Sequence, residues 1–272
     1  MFSSALRPGE FIIDDSTPDH QLGIPDGMST GYKGMFRSAQ SAAAVTFEFP
    51  TELEIPEPDW QGWIQEKEER ENRISDFCIR GALPCKDQAQ TNFCWANAPT
   101  HCLEIINLIQ NQPMVIFSPA SVACPINGFR NQGGWGEDAL QQIIKYGAVP
   151  VNYWPANAID KRYYTQANKD IALKYRVTEW FRLIPRNKKQ LISCLLRNIP
   201  VACGYNWQGH ETTACDAVWV NGQIGTRNRN SWTMDWPTKN AGGWYILQGF
   251  KMLPDDAVAS RVATAVAPIT AA

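Results

Sequence analysis

Histidine is the scarcest carrier of acid–base chemistry in this chain: three in 272 residues, His20, His101 and His210. Any reaction that needs an imidazole therefore has few places to be. No run of about 18 apolar residues occurs, which excludes a hydrophobic membrane-spanning helix. The opening stretch, MFSSALRPGEFIIDDSTPDH, has no apolar segment of the signal-peptide kind, so cytoplasmic synthesis is expected. No C-x-x-C pair is present, which leaves a structural zinc site little support and leads us to expect no metal. Neither charge sign is in excess: the net charge of −2 implies no general attraction to nucleic acid. The densest charge run, residues 66–73 (EKEERENR), mixes both signs and reads as a solvated helix face. No internal repeat is evident.

What is present is globular. Hydrophobic residues make up 44% and charged residues 19%, unlike a disordered chain. The length allows one large core or two small ones. There are eight cysteines, at 78, 85, 94, 102, 124, 194, 203 and 215. A reducing compartment argues for free thiols, most of them small buried hydrophobes.

Residues 1–75 differ from the rest. The first 35 carry Gly, Pro, Asp and Ser with little periodicity and read as an extended arm. The stretch at 38–45 (SAQSAAAV) is small and featureless, and Pro50, Pro56 and Pro58 suit a linker. A charged helix is expected over 58–74, with Trp60 and Trp63 as its contacts. Helical spacing of Ala98, Cys102, Ile105, Ile106 and Ile109 predicts a helix over 94–109 with one apolar face. Residues 136–146 repeat the pattern, with Glu137 and Asp138 in the first turn, Lys145 in the last and Gly147 beyond. A third helix, 187–198, stops before Pro200. Strands are expected at 171–183, 201–207 and 244–250. The alternation at 217–220 and 223–228 around Asn221-Gly222 is a hairpin, since Asn-Gly supplies the positive φ of a tight turn. After Pro254 the chain is rich in Ala and Val and reads as a tail. Helices followed by strands imply an α+β fold with any cleft between the halves.

Among the cysteines, Cys94 stands where the loop KDQAQTNF becomes a helix. A thiol at a helix N-terminus feels the positive end of the dipole, which favours the thiolate. His101 lies seven residues into that helix, about 10 Å along its axis and out of hydrogen-bond reach. It reads as a structural histidine. His210, on the strand-rich half, is the natural partner. Glu211 and Asp216 lie close to it in sequence and are candidates for orienting it, beside Asn230.

The segment at 81–88 (GALPCKDQ), followed by Cys94-Trp95-Ala96, resembles the start of the papain-like cysteine peptidase domain. Further pieces follow in that family's order: 117–124 (FSPASVAC), Asn131-Gln132-Gly133-Gly134, Tyr153-Trp154-Pro155, Gly209-His210, Asn230-Ser231-Trp232 and Gly243-Trp244-Tyr245-Ile246. The resemblance spans roughly residues 76–253. It implies a two-lobed fold, a helical left lobe and an antiparallel β-barrel right lobe with the cleft between them. It also implies Cys94 as nucleophile, His210 as base, Asn230 orienting the base and Gln88 donating to the oxyanion hole. Gly133, Gly134 and Trp232 would line the substrate site, Trp232 also shielding the His–Asn bond. No cofactor is implied.

There are departures. Thr91-Asn92-Phe93 replaces the usual Cys-Gly-Ser, Asn131 replaces the cysteine of the glycine segment, and Cys124 lacks its later mate. The family disulfides are therefore not expected. Pro99 lies inside the expected nucleophile helix, and Thr233 replaces a glycine. The organisation expected is an arm with a charged helix at 1–75, propeptide-like or an assembly arm, a peptidase domain at 76–253 and a tail at 254–272. The function expected is hydrolysis of peptide or isopeptide bonds in a protein or peptide substrate, with no nucleic-acid or membrane partner. One alternative is a component of a larger assembly such as a virus or phage particle, joined through both arms, with the fold latent. A transferase or deamidase on the same fold is another.

Overall fold

The structure is a computed structural model that describes residues 2–18, 48–236, 238–239 and 241–265. His20 and the featureless stretch at 38–45 lie outside the described residues. Fourteen elements are numbered in chain order. A short strand β1 (Phe11–Ile13) comes first, then helices α1 (Trp60–Glu69), α2 (Ile74–Arg80), α3 (Cys94–Ile109), α4 (Pro119–Asn127), α5 (Gly136–Tyr146) and α6 (Gln166–Ala172). Strand β2 (Val177–Arg182), helix α7 (Lys188–Leu196) and strands β3 (Val201–Tyr205), β4 (His210–Val220), β5 (Gln223–Arg229), β6 (Trp244–Gln248) and β7 (Asp256–Ala263) complete the order. No helix among the described residues is long and apolar enough to cross a membrane.

Helix α3 organises the molecule. It has the expected bounds, but one apolar face was too modest an expectation: every residue from 94 to 107 is buried. Ala96, Leu103 and Ile106 join α4, α5 and Trp154 in one core, while Ile105 meets Cys215 and Trp244 from the sheet side in another. The polar residues Asn97, Thr100, His101, Glu104 and Asn107 are buried with them and need internal partners. Pro99 is accommodated inside the helix. The hydroxyl of Thr100 donates to the Ala96 carbonyl at 2.8 Å in the same turn.

The strands form one sheet in the order β1-β6-β5-β4-β3-β7-β2. All neighbours are antiparallel except β1 and β6, which run parallel. The hairpin joins β4 and β5 through Asn221 and Gly222, at φ 53 and 74, as Asn-Gly chemistry demands. The expected barrel closure is not seen among the described residues. No pairing joins β1 to β2, and N-terminal chain occupies both flanks instead. Strand β1 covers β6, and Glu48 bridges Arg182 beside β2.

The arm expected at the N-terminus is built in over residues 2–18. Ile13 is fully buried, and Glu10 meets the enclosed Arg227 guanidinium at 2.5 Å, with Asp216 on its other side at 3.1 Å. Trp60 and Ile64 of α1 are buried with residues of α7, whereas Trp63 is exposed and lies under the Arg197 guanidinium. The expected C-terminal tail is corrected too: β7 lies between β3 and β2, mostly buried, and residues 266–272 fall outside the described set. Its Ala, Val and Ser side chains suit a strand flanked on both edges. The strand expected from 171 begins only at Val177. Before it, Thr165 caps α6 by accepting from the Asn168 N–H at 3.2 Å.

No disulfide joins any of the eight cysteines, all of which lie among the described residues. Burial pushes the Cys78 and Cys124 thiols up to about 12 and Cys85 to about 11, so these are inert packing groups at neutral pH.

Candidate active site

Cys94 is the first residue of α3, and no side chain caps that terminus. Its thiol therefore sits beside first-turn N–H groups at the positive end of the dipole. The loop before it is tightly turned. Thr91 returns both its backbone N–H and its hydroxyl to the Gln88 carbonyl, at 2.9 and 2.6 Å. Gln88 is fully buried. Its backbone N–H donates to the Ser231 carbonyl at 2.9 Å, its side-chain oxygen accepts from the Ser231 hydroxyl at 2.7 Å, and its amide nitrogen donates to the Thr91 carbonyl at 3.0 Å. Its amide is thereby oriented. The roles of Ser231 and Thr91 in holding it were not read from the sequence, although Ser231 stood inside a recognised motif.

The glycine segment lies against the same loop. Asn131 accepts from the Asn92 N–H at 2.6 Å and donates to the Gln90 carbonyl at 3.0 Å. With a third bond, from the Asn92 side-chain amide to the Asn131 carbonyl at 3.3 Å, these join the loop to the glycine segment where the family's disulfide is missing. Gly134 faces the Trp95 ring so closely that an added Cβ would stand 2.6 Å from it. The Trp95 indole N–H donates to the Asn92 carbonyl at 2.9 Å, which locks the ring.

His210 opens β4 after Gly209, whose φ is 59. Its Nε2 lies 3.1 Å from the Asn230 side-chain oxygen. That oxygen also accepts from the Ser231 N–H at 2.6 Å, which fixes which end of the amide faces the ring. Nε2 is therefore the protonated nitrogen of the neutral ring, and Nδ1 is the bare one. Nδ1 is buried and makes no hydrogen bond among the described residues. Trp232 stacks on the imidazole at 4.0 Å and 22°, and Trp236 packs edge-on against Trp232 at 5.1 Å. Burial drives the His210 pKa down to about 3, and the bond to Asn230 only partly offsets it.

Neither competing carboxylate pairs with His210. Asp216 accepts from Ser75 and Arg227. The Glu211 carboxylate is turned to Gly136 at the start of α5, where an added Cβ would meet its oxygen at 1.9 Å. His101 pairs elsewhere as well, its Nδ1 3.0 Å from Glu104. Glu104 also takes the buried Lys86 ammonium at 2.5 Å. Cys94 and His210 are each 0% exposed, so neither side chain is open to solvent in this state.

Residues 76–218 match the pattern of the papain family cysteine protease, more than half of the chain. The match includes Gln88, Cys94 and His210 and ends before Asn230. The oryzain beta chain of Oryza sativa subsp. japonica is 28% identical over 156 residues, 56% of this chain and 33% of that protein. The chain thus spans about a third of the length of that curated relative. Among solved structures, xylellain, a cysteine protease from Xylella fastidiosa, matches with a TM-score of 0.58 at 16% identity, covering 89% of this chain and 99% of that one. The proCathepsin B S9 of Trypanosoma congolense matches with a TM-score of 0.58 at 16% identity over 85% of each chain. A digestive procathepsin L 3 from the larval midgut of Tenebrio molitor gives 0.56 at 17%, over 66% of each. At these identities the structures speak for the fold.

Proposed function

Because the chain belongs to the papain family of cysteine proteases, we propose that it is a cysteine peptidase acting through Cys94, His210 and Asn230. One observation carries the assignment of roles. Asn230 holds the protonated Nε2 of His210, which leaves the bare Nδ1 to take a proton from a thiol. In the reaction, Cys94 gives its proton to His210 and attacks the substrate carbonyl carbon. The thioester forms as His210 returns the proton to the leaving amine. Water then adds to the thioester carbonyl, and the thiol leaves. Gln88 and the Cys94 backbone N–H are the donors for the oxyanion in both steps. Gly133 and Gly134 line the substrate cleft, where side-chain-free backbone lets an extended peptide lie close. The substrate class is a peptide or isopeptide bond in a protein, and no step calls for a cofactor. The test is hydrolysis of a denatured protein by the full chain under reducing conditions. Turnover lost in Cys94→Ala supports the reading, and turnover retained there overturns it.

A latent form is the second reading, and the burial of both Cys94 and His210 favours it. A nucleophile without accessible surface reaches no peptide, and a histidine held neutral forms no ion pair with a thiolate. In this reading the site works only after it opens to solvent, or the fold serves as a part of a larger assembly. Size exclusion with and without reducing agent and protein substrate separates these forms: a self-contained latent enzyme elutes as the free chain, an assembly component does not.

A further inference from the structure

A cavity of about 10 Å³ lies among Asn97 and His101 on one face of α3 and Arg229 and Asn230 at the end of β5. That is room for about one water molecule. Each of these four side chains is at least nine-tenths buried, and each has one polar atom without a hydrogen-bond partner among the described residues. The atoms are Asn97 Oδ1, His101 Nε2, Arg229 Nη1 and Asn230 Nδ2. Four such atoms on residues that line one small cavity call for a shared partner, because buried polar atoms are costly to leave unpaired.

The chemical character of each atom is fixed by its other bonds. Asn97 donates its amide hydrogen to the Phe93 carbonyl at 2.8 Å, so its oxygen is the end left over. Asn230 uses its oxygen for His210 and Ser231, so its nitrogen is left over. Arg229 spends Nε on the Gly242 carbonyl and Nη2 on the Leu83 carbonyl, which leaves Nη1 as a donor. His101 Nδ1 faces the Glu104 carboxylate, which Lys86 and the Phe117 N–H hold ionised. The proton of the neutral ring therefore sits on Nδ1, and Nε2 is an acceptor. These four atoms thus present two donors and two acceptors, while Glu211, which also lines the cavity, turns its carboxylate to Gly136. A single water accepts two hydrogen bonds and donates two.

We propose that this cavity binds one ordered water, accepting from Asn230 Nδ2 and Arg229 Nη1 and donating to Asn97 Oδ1 and His101 Nε2. The site makes His101 a positioning residue for the His210–Asn230 pair, a role that rests on the triad reading above. The water holds the nitrogen end of the Asn230 amide, so a flip that would present N–H to His210 Nε2–H loses a bond at each end. Lys86, Glu104 and His101 then form a continuous polar line from the interior to Asn230.

Two measurements on the full chain test this. A crystal structure at about 1.5 Å resolves an ordered water and its partners. The expected result is one density peak within hydrogen-bond distance of all four atoms. An empty cavity, or the four atoms paired directly with one another, overturns the proposal. With only three histidines, ¹⁵N NMR of the ring nitrogens reads each tautomer. A proton on His101 Nδ1 is expected, and a proton on Nε2 overturns the proposal, because the water would then face three donors. His101→Phe, with its melting temperature recorded as a check on folding, is expected to shift the His210 ring signals, and His101→Gln to restore them. Unchanged His210 signals in His101→Phe contradict the positioning role. Failure of the triad itself shows separately, as Cys94 reactivity indifferent to His210→Ala, and leaves the water site to be judged by its density.

Discussion

At the scale of single residues, the site is a set of amide groups whose orientation is dictated by neighbours. Gln88 is held between Ser231 and Thr91, and Asn230 between His210 and Ser231. Replacing Gln88 with Ala removes an oxyanion donor and is expected to lower kcat by about 10²- to 10³-fold with little change in KM, measured by steady-state hydrolysis. The buried histidines set a second expectation. His101 is pushed to about 4 by burial, against the attraction of Glu104, from an ordinary value of 6.5. The unfolded chain thus takes up a proton below about pH 6.5 that the folded chain refuses until about 4, so stability falls through that window and levels off below it. The loss is worth about 3 kcal/mol. Thermal melting from pH 7 to 4 reads it as a steeper fall for the parent chain than for His101→Gln. The bond between His210 and Asn230 and the Trp232 ring stacked on the imidazole were legible in the sequence, because Gly209-His210 and Asn230-Ser231-Trp232 stand in family order. The meeting of His101, Asn97 and Arg229 at one cavity was not. It joins two turns of a helix to a strand more than a hundred residues away, and no local pattern encodes it.

At the scale of elements, legibility followed local chemistry. Helices α3 and α5 were predicted with their observed bounds, since apolar spacing and, for α5, end charges agree. The β4–β5 hairpin was marked by Asn-Gly. Strand β1 escaped because three residues show no period and its partner β6 lies at the far end of the chain. Strand β7 escaped because a strand flanked on both edges and filled with small residues does not alternate. The loop before α3 is held without a disulfide, by Asn131 and by the contact of Gly134 with Trp95. Gly134→Ala places a methyl group 2.6 Å from the locked indole. Overpacking of that kind costs about 1–3 kcal/mol. The expected outcome is a lower denaturation midpoint together with a raised KM, since the same segment borders the proposed cleft.

At the scale of the whole molecule, the N-terminal segment is part of the peptidase fold over the residues described. Arg227 is fully buried between Glu10 and Asp216, and β1 extends the sheet. Breaking a buried ion pair from one side costs about 3–5 kcal/mol. Asp216 still meets Arg227 when Glu10 is lost, so the lower end is expected for Glu10→Ala. Equilibrium unfolding in urea measures it; an unchanged midpoint would mean that residues 2–18 are only an appended arm. The enclosure of Cys94 and His210 belongs to this scale as well, because it decides whether the fold presents a working site or a closed one.

The central claim is that Cys94 is activated by His210. Its most direct test is intact-mass analysis of the full chain after exposure to a thiol-directed epoxide, with peptide mapping and a His210→Ala control. The account predicts single labelling at Cys94, faster than at the other seven thiols and lost in the control. Slow labelling scattered over several cysteines, or labelling of Cys94 unaffected by His210→Ala, would contradict it.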